Sequence, residues 1–221
     1  MPAILFDLDG TIANSLPCII ECSRLACRDL NIPYDEDKII SLIGIPMLQT
    51  GEMLLGPGRG EEYRSIYNAH FLQCPEPKMT AYEGMPQLLR KLKARGIDLG
   101  IVTSKVKNGC LNSLSILDLH DIFDILVTAS DDCGHKPTAG PALFACEQLS
   151  LDKEQVIFVG DSYFDINCGK AAGIATCGVT WGACNKEQLA AYEPDFLVET
   201  VPQLEQILED WLYDINQRKG G

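Results

Sequence analysis

The sequence predicts an α/β fold: a doubly wound, mostly parallel sheet, interrupted near its start by a block of helices. Three observations carry this. Short apolar runs of strand length alternate with amphipathic stretches of helical period from about residue 84 onward. Residues 14–79 break that rhythm, with helical periods and no convincing strand. The first apolar run, Ala3-Ile4-Leu5, leads straight into Phe6-Asp7-Leu8-Asp9-Gly10-Thr11. That puts polar residues at the carboxyl end of a strand, where open α/β sheets bind their ligands.

After the first strand, Ile97 to Thr103 reads as a buried strand, as do Ile122 to Thr128, Gln155 to Val159 and Ile174 to Val179; Phe196 to Val198 is a short late one. Near-continuous apolar runs of this kind suit strands covered on both faces. Helices are expected at about 84–95, 105–117, 139–149, 164–172 and 201–213. In the first, Leu88, Leu89 and Leu92 form the apolar stripe and Gly96 the stop. The whole is a Rossmann-like core.

Within 14–79, Ser15 is placed to cap a helix with Pro17 in its first turn, and Leu16, Ile19, Ile20, Ser23 and Leu30 keep the helical period. Further helical segments are expected at about 35–42, 46–55 and 60–73, with Gly56-Pro57-Gly58-Arg59-Gly60 as a turn. Cys74-Pro75-Glu76-Pro77 reads as the return linker. The expected domains are therefore an α/β core of residues 1–13 and 80–221 and an inserted α-helical cap of residues 14–79, able to act as a lid.

The 221 residues are 46% hydrophobic, ample for a core, and 18 Lys+Arg against 31 Asp+Glu give a net charge of −13. Such a surface repels nucleic acid and anionic membranes, so neither is an expected partner. An anionic substrate needs local rescue by a cation and a lysine. No apolar run approaches membrane-spanning length, and no charged region with an apolar stretch precedes Asp7. A soluble cytoplasmic protein is expected, monomer or homodimer. The ten cysteines form no Cys-x-x-Cys pair, and no histidine stands at zinc-finger spacing. Most lie in apolar stretches, as reduced thiols acting as small hydrophobes.

The chemistry starts from Asp7 and Asp9. Alternate residues of a strand share a face, so a strand ending there projects both carboxylates from one edge. Two like charges that close need a cation or a proton. The pattern points to a metal-assisted site in which one carboxylate attacks and the other handles a proton. Three further pieces are expected at the ends of predicted strands: Thr103-Ser104, Lys136-Pro137 after Gly134-His135, and Gly160-Asp161-Ser162-Tyr163-Phe164-Asp165.

Together, and in this order, the four pieces resemble the signatures of the haloacid dehalogenase (HAD) superfamily of phosphatases. Gly169-Lys170-Ala171-Ala172-Gly173-Ile174, Val179-Thr180-Trp181-Gly182 and the position of the helical insertion resemble the branch containing phosphoglycolate phosphatase. The resemblance implies a phosphatase acting on a small phosphate ester, with phosphoglycolate as the named candidate. The alternatives are a sugar-phosphate mutase or an inorganic pyrophosphatase of the same superfamily. It implies Asp7 as nucleophile, Asp9 as acid and base, and Lys136 as the cation facing phosphoryl group and nucleophile. Thr103, Ser104 and Gly10 are the implied substrate contacts. Mg²⁺ is the implied cofactor, held by the Asp7 and Asp161 side chains, the Asp9 carbonyl and waters. Asp165, read as one helical turn past Asp161, is a supporting residue that meets a metal-bound water or orients Lys136.

Some positions depart from the family pattern. Asn14 stands where many relatives carry an aspartate, and Thr138-Ala139-Gly140-Pro141 replaces further prolines and an acid after Lys136-Pro137. Gly160 favours a hydrolase, since mutases often carry Glu-Asp there. Asp9 disfavours a dehalogenase, which needs no second acid. A receiver-like module places its phosphoacceptor on a later strand and lacks such an insertion. Leaving-group contacts are expected among Asn14, Ser15, Ile43-Gly44-Ile45, Gln49, Arg59, Arg64 and Lys78. His135 is expected to be a solvated loop residue, and His70 and His120 to take no part.

Overall fold

The computed structural model describes residues 2–73 and 79–220. Six parallel strands form the central sheet: β1 (Ala3–Phe6), β4 (Asp98–Val102), β5 (Ile125–Val127), β6 (Val156–Gly160), β7 (Ala175–Val179) and β8 (Phe196–Val198). Their order is β5-β4-β1-β6-β7-β8. β1 is central, with Phe6 level with Ile101 of β4 and Val159 of β6. The chain moves outward from β1 to one edge through β4 and β5, then returns to its other side for β6, β7 and β8. That reversal opens a crevice at the carboxyl end of β1.

Alternation along the strands divides the core in two. Ile4 and Phe6 face one side, where they pack with Leu88, Leu89 and Leu92 of α5 (Met85–Ala94), Cys110 and Leu114 of α6 (Lys107–Ile116), and Leu204, Leu208 and Leu212 of α10 (Val201–Gly220). Ala3 and Leu5 face the other, against Ala142, Ala145 and Cys146 of α7 (Gly140–Leu149) and Cys168 and Ala172 of α8 (Tyr163–Ala172). Phe6 and Leu5 are wholly buried, and each side chain so removed from water contributes about 1.5–3 kcal/mol.

Between β1 and α5 lie four helices: α1 (Leu16–Asp29), α2 (Glu36–Ser41), α3 (Met47–Leu55) and α4 (Gly60–Gln73). Cys18, Cys22 and Cys27 of α1 pack with Ile39 of α2 and Tyr63 and Tyr67 of α4 in a cluster of their own. The nine described cysteines are free thiols; Cys74, and with it the Cys74–Pro77 linker, lies outside the described residues.

Three features differ from expectation. β2 (Ala13–Asn14) and β3 (Thr80–Ala81) pair antiparallel at the two ends of the helical block, a ribbon the sequence does not predict. α9 (Lys186–Ala190) and a 3₁₀ turn at Lys153–Gln155 also escaped the sequence reading, being shorter than any periodic window. Ser15 does occupy the N-cap of α1 but makes no capping bond; its hydroxyl goes to Asp9 instead.

Candidate active site

The site lies where β1, β4 and β6 end. Asp7 follows β1 directly, and its N–H donates to Val159 O at 2.9 Å. Lys136 Nζ donates to Asp7 Oδ1 at 2.6 Å and to Asp165 Oδ1 at 2.7 Å, and all three side chains are buried. The Lys136–Pro137 peptide is cis. Asp165 has a second task at the start of α8: its Oδ2 accepts from the Ser162 N–H (3.0 Å) and hydroxyl (2.6 Å). Asp161 precedes that helix, so the two acids meet across a strand-to-helix turn and not along one helical face. A Cβ at Gly160 would lie 2.2 Å from Asp165 Cβ, so only glycine leaves Asp165 its place.

Asp161 is bound at both oxygens. Thr11 Oγ1 donates to Oδ1 at 3.0 Å, and the Ala183 N–H to Oδ2 at 2.7 Å. Gly10, at φ +84°, lies against the same carboxylate, and a Cβ there would come within 2.1 Å of Asp161 Oδ2. The Gly10 N–H is spent on Ala13 O at 2.8 Å. What Gly10 visibly supplies is therefore room for Asp161, where a substrate contact was expected.

Ligand oxygens of Asp7, Asp161 and Asp165 all lie within 4.8 Å of one another. Three buried carboxylates against one buried ammonium leave an excess of negative charge. Burial pushes the Asp7 carboxyl up to about 7, with repulsion from Asp165 and then Asp9 adding to it and Lys136 opposing. Asp161 is also raised well above the usual range, by burial first and then by Asp165 and Asp7. Burial alone would pull Lys136 down, but Asp165 and Asp7 outweigh it and hold the ammonium above its ordinary value. A set of hard oxygen donors with surplus negative charge fits a divalent cation such as Mg²⁺.

Asp9 stands apart from this cluster. Its Oδ1 accepts from the Ser15 hydroxyl at 2.6 Å, and its Oδ2 lies 2.8 Å from Lys105 Nζ. The expectation of two acids crowding one strand edge is thus corrected: β1 ends at Phe6, and the chain turns so that the N–H groups of Ile12 and Ala13 bond Leu8 O. The crowding at Asp7 comes from Asp165 before Asp9. Thr103 is buried at the end of β4, and its Oγ1 accepts from the Lys105 N–H at 3.2 Å. The Ser104 hydroxyl reaches Gly44 O at 2.5 Å, fastening the loop between α2 and α3 to the core. Gly44 has φ +104° and rests on Phe164, which a Cβ would meet at 2.7 Å.

A cavity of about 270 Å³ opens above these residues. Asp7, Asp9, Thr103, Ser104 and Asp161 form its floor, and Ile19, Ile39, Leu42 and Phe71 are among its apolar walls. Of the expected leaving-group contacts, Ile43, Gly44, Ile45, Gln49 and Arg64 line it. Ser15 is engaged with Asp9, Arg59 pairs with Glu62 at 2.8 Å, and Asn14 lies in β2. Lys78 is outside the described residues. His135 is half-buried and lines the cavity, where a solvated residue was expected. His70 pairs with Asp29 at 2.7 Å on the helical block. The sequence reading missed Lys105, whose only signal was its place two residues after Thr103.

The family profile of haloacid dehalogenase-like hydrolases matches residues 4–179. The chain belongs to this family. As a haloacid dehalogenase-like hydrolase it is 34% identical to the pyrophosphatase PpaX of Bacillus velezensis, over 91% of this chain and 94% of that one. A haloacid dehalogenase-like family hydrolase of Streptococcus pneumoniae superposes with a TM-score of 0.82 at 25% identity, covering 94% of this chain and 98% of that one. A predicted phosphoglycolate phosphatase of Haemophilus somnus gives 0.83 at 24% identity over 94% and 98%, a likeness of fold alone. Among the described residues, no helix of this hydrolase is long and apolar enough to cross a membrane.

Proposed function

We propose that this phosphatase hydrolyses a small phosphate compound through a phosphoryl group carried on Asp7, with Mg²⁺ as cofactor. The observation that carries the reading is the unequal surroundings of two acids one residue apart. Asp7 is buried against Lys136 beside Asp161 and Asp165, whereas Asp9 is turned toward the cavity with Ser15 and Lys105. Carboxylates placed in different environments take different roles.

In this reading Asp7 Oδ attacks phosphorus and the bond to the leaving oxygen breaks. Asp9 gives that oxygen a proton, then takes one from the water that attacks the phosphorus of phospho-Asp7. This second step frees inorganic phosphate and restores both carboxylates. The Thr103 hydroxyl and the Ser104 N–H hold phosphoryl oxygens, and Lys136 offsets their charge. The Asp7 and Asp161 side chains and the Asp9 carbonyl would hold Mg²⁺, with Asp165 keeping Lys136 in line. When bound, the ion supplies positive charge against the carboxylates and the phosphoryl group. The helical block 14–79 acts as a lid over the core 1–13 and 80–221, supported by its contribution to the cavity walls and the Ser104–Gly44 contact.

Phosphoglycolate is the first substrate to test. Pyrophosphate is the second reading, favoured by the name and 34% identity of the Bacillus velezensis relative. A mutase is disfavoured by Gly160, whose replacement by a larger residue would displace Asp165. The test is phosphate release from a panel containing both compounds, with Mg²⁺ or with EDTA, for the native chain and Asp7→Asn. Mg²⁺-dependent release that vanishes in the variant is expected. Release that persists in Asp7→Asn would remove Asp7 as nucleophile, and indifference to EDTA would remove the metal.

A further inference from the structure

Lys105 is a cation beside the reacting groups that none of the four motifs contains. Its N–H donates to Thr103 Oγ1, and its carbonyl accepts from the Ala129 N–H at 2.8 Å. From this pinned backbone the side chain reaches across the cavity floor. Nζ lies 2.8 Å from Asp9 Oδ2 and 5.6 Å from the centre of the Phe71 ring on α4. The side chain lines the cavity and is 17% exposed.

Two other cations stand nearby. Lys136 holds two buried carboxylates, and Arg64 on the cavity wall pairs with Glu61 at 2.6 Å in a more exposed position, away from Asp9. Among the described residues, Lys105 pairs with one carboxylate oxygen, and an ammonium has three donors. The Phe71 ring favours a cation at this spot. The ammonium touches the acid that serves the leaving oxygen. It therefore meets what is attached to that oxygen before it meets the transferred phosphoryl group. Gln49, Arg64, Asn68 and His135 also line the cavity, but among the described residues Lys105 is the cation paired with Asp9.

We propose that Lys105 is a specificity-determining residue that binds an anionic group on the leaving side of the substrate. The substrate class is then phosphate compounds whose leaving group carries its own negative charge, a carboxylate or a second phosphate. This rests on the roles given above to Asp7 and Asp9. One charge-assisted contact of this kind is worth roughly a 10- to 100-fold preference.

The test measures kcat/KM with Mg²⁺ for two matched pairs, in the native chain, Lys105→Met and Lys105→Arg. Phosphoglycolate against 2-hydroxyethyl phosphate probes a carboxylate, and pyrophosphate against methyl phosphate probes a second phosphate. Intrinsic reactivity cancels when the anionic-to-neutral ratio is compared between native and variant chains. In Lys105→Met the ratio should fall roughly 10- to 100-fold for at least one pair, mainly through KM, and Lys105→Arg should recover most of it. The pair that responds identifies the anion. Equal slowing of both members of each pair would overturn the inference and leave Lys105 acting only through Asp9. Turnover that persists in Asp7→Asn would overturn the reading of the site itself. Hydrolysis of none of the four compounds by the native chain would end both.

Discussion

Replacing Lys136 by Met removes a buried ammonium while keeping most of its stem. Two carboxylates, held at 2.6 and 2.7 Å, then lose their shared counter-ion at buried positions. Orphaning a buried charge costs about 3–5 kcal/mol, a large part of the ~5–15 kcal/mol that holds a domain together. The penalty depends on pH, and its sign follows from Asp7. The folded carboxyl sits at about 7, above its ordinary 3.8, so the folded state binds the extra proton between those values and stability falls as pH rises through that window. Lys136 is what opposes the rise, so without it Asp7 moves higher still. At pH 5.5 the variant's Asp7 then carries a proton, and one of the two orphaned charges is gone. Urea denaturation in EDTA should show a deficit of about 3–5 kcal/mol at pH 8 and a smaller one at pH 5.5. The same substitution should lower kcat/KM with Mg²⁺ by about 10²–10³, the loss expected of a contact worth ~3–4 kcal/mol in the transition state. A deficit below about 1 kcal/mol at pH 8, or one that grows as pH falls, would refute the reasoning.

Asp7→Asn should raise the melting temperature of the metal-free chain at pH 8 while abolishing turnover, because the amide removes a charge that burial and Asp165 disfavour; a lower melting temperature would mean that Asp7 is a net stabiliser. Mg²⁺ should raise the melting temperature more at pH 8 than at pH 6, since protons on Asp7 compete with the cation below about 7; equal shifts at both pH values would place the ion elsewhere. Gly10→Ala should cost about 1–3 kcal/mol in stability and raise the Mg²⁺ concentration needed for activity, because its Cβ would lie 2.1 Å from Asp161 Oδ2; an unchanged Mg²⁺ requirement would show that Asp161 adjusts freely.

Apolar periodicity made the sheet legible because its strands are covered on both faces and leave continuous runs. It also made α1 legible through Leu16, Ile19, Ile20, Ser23 and Leu30, although the stripe that packs against α2 and α4 is Cys18, Cys22, Ala26 and Cys27. It gave no sign of the β2–β3 ribbon, since two residues per strand carry no period. Ser15 illustrates a different limit. Its type and place say N-cap, but Asp9 outbids the helix for its hydroxyl. Helical spacing from Asp161 does not place Asp165, since Asp161 precedes α8; what places it is N3 of the helix, where an acid can serve the N-cap. Lys105 had no such constraint. A lysine in the loop before a helix is ordinary in any sequence, and only folding brings it to Asp9.

The topology explains why a site of this chemistry can be assembled from fragments so far apart in the chain. β1 contributes Asp7, and its two neighbours in the sheet, β4 and β6, contribute Thr103 and Asp161; the loop after β5 contributes Lys136. Four strand ends on one sheet edge supply rigid anchors, and the buried charges they bring together are destabilising unless each is matched. Lys136, the Thr11 hydroxyl, the Ala183 N–H and the start of α8 do part of that matching. What they leave unmatched is negative and lies at the floor of the cavity. A centre that holds excess negative charge beside a nucleophile cannot attract an anionic substrate by itself, least of all on a chain of net charge −13. In the reading proposed above, that attraction comes from a cation bound at Asp7 and Asp161 for the phosphoryl group, and from Lys105 for what the phosphoryl group leaves behind.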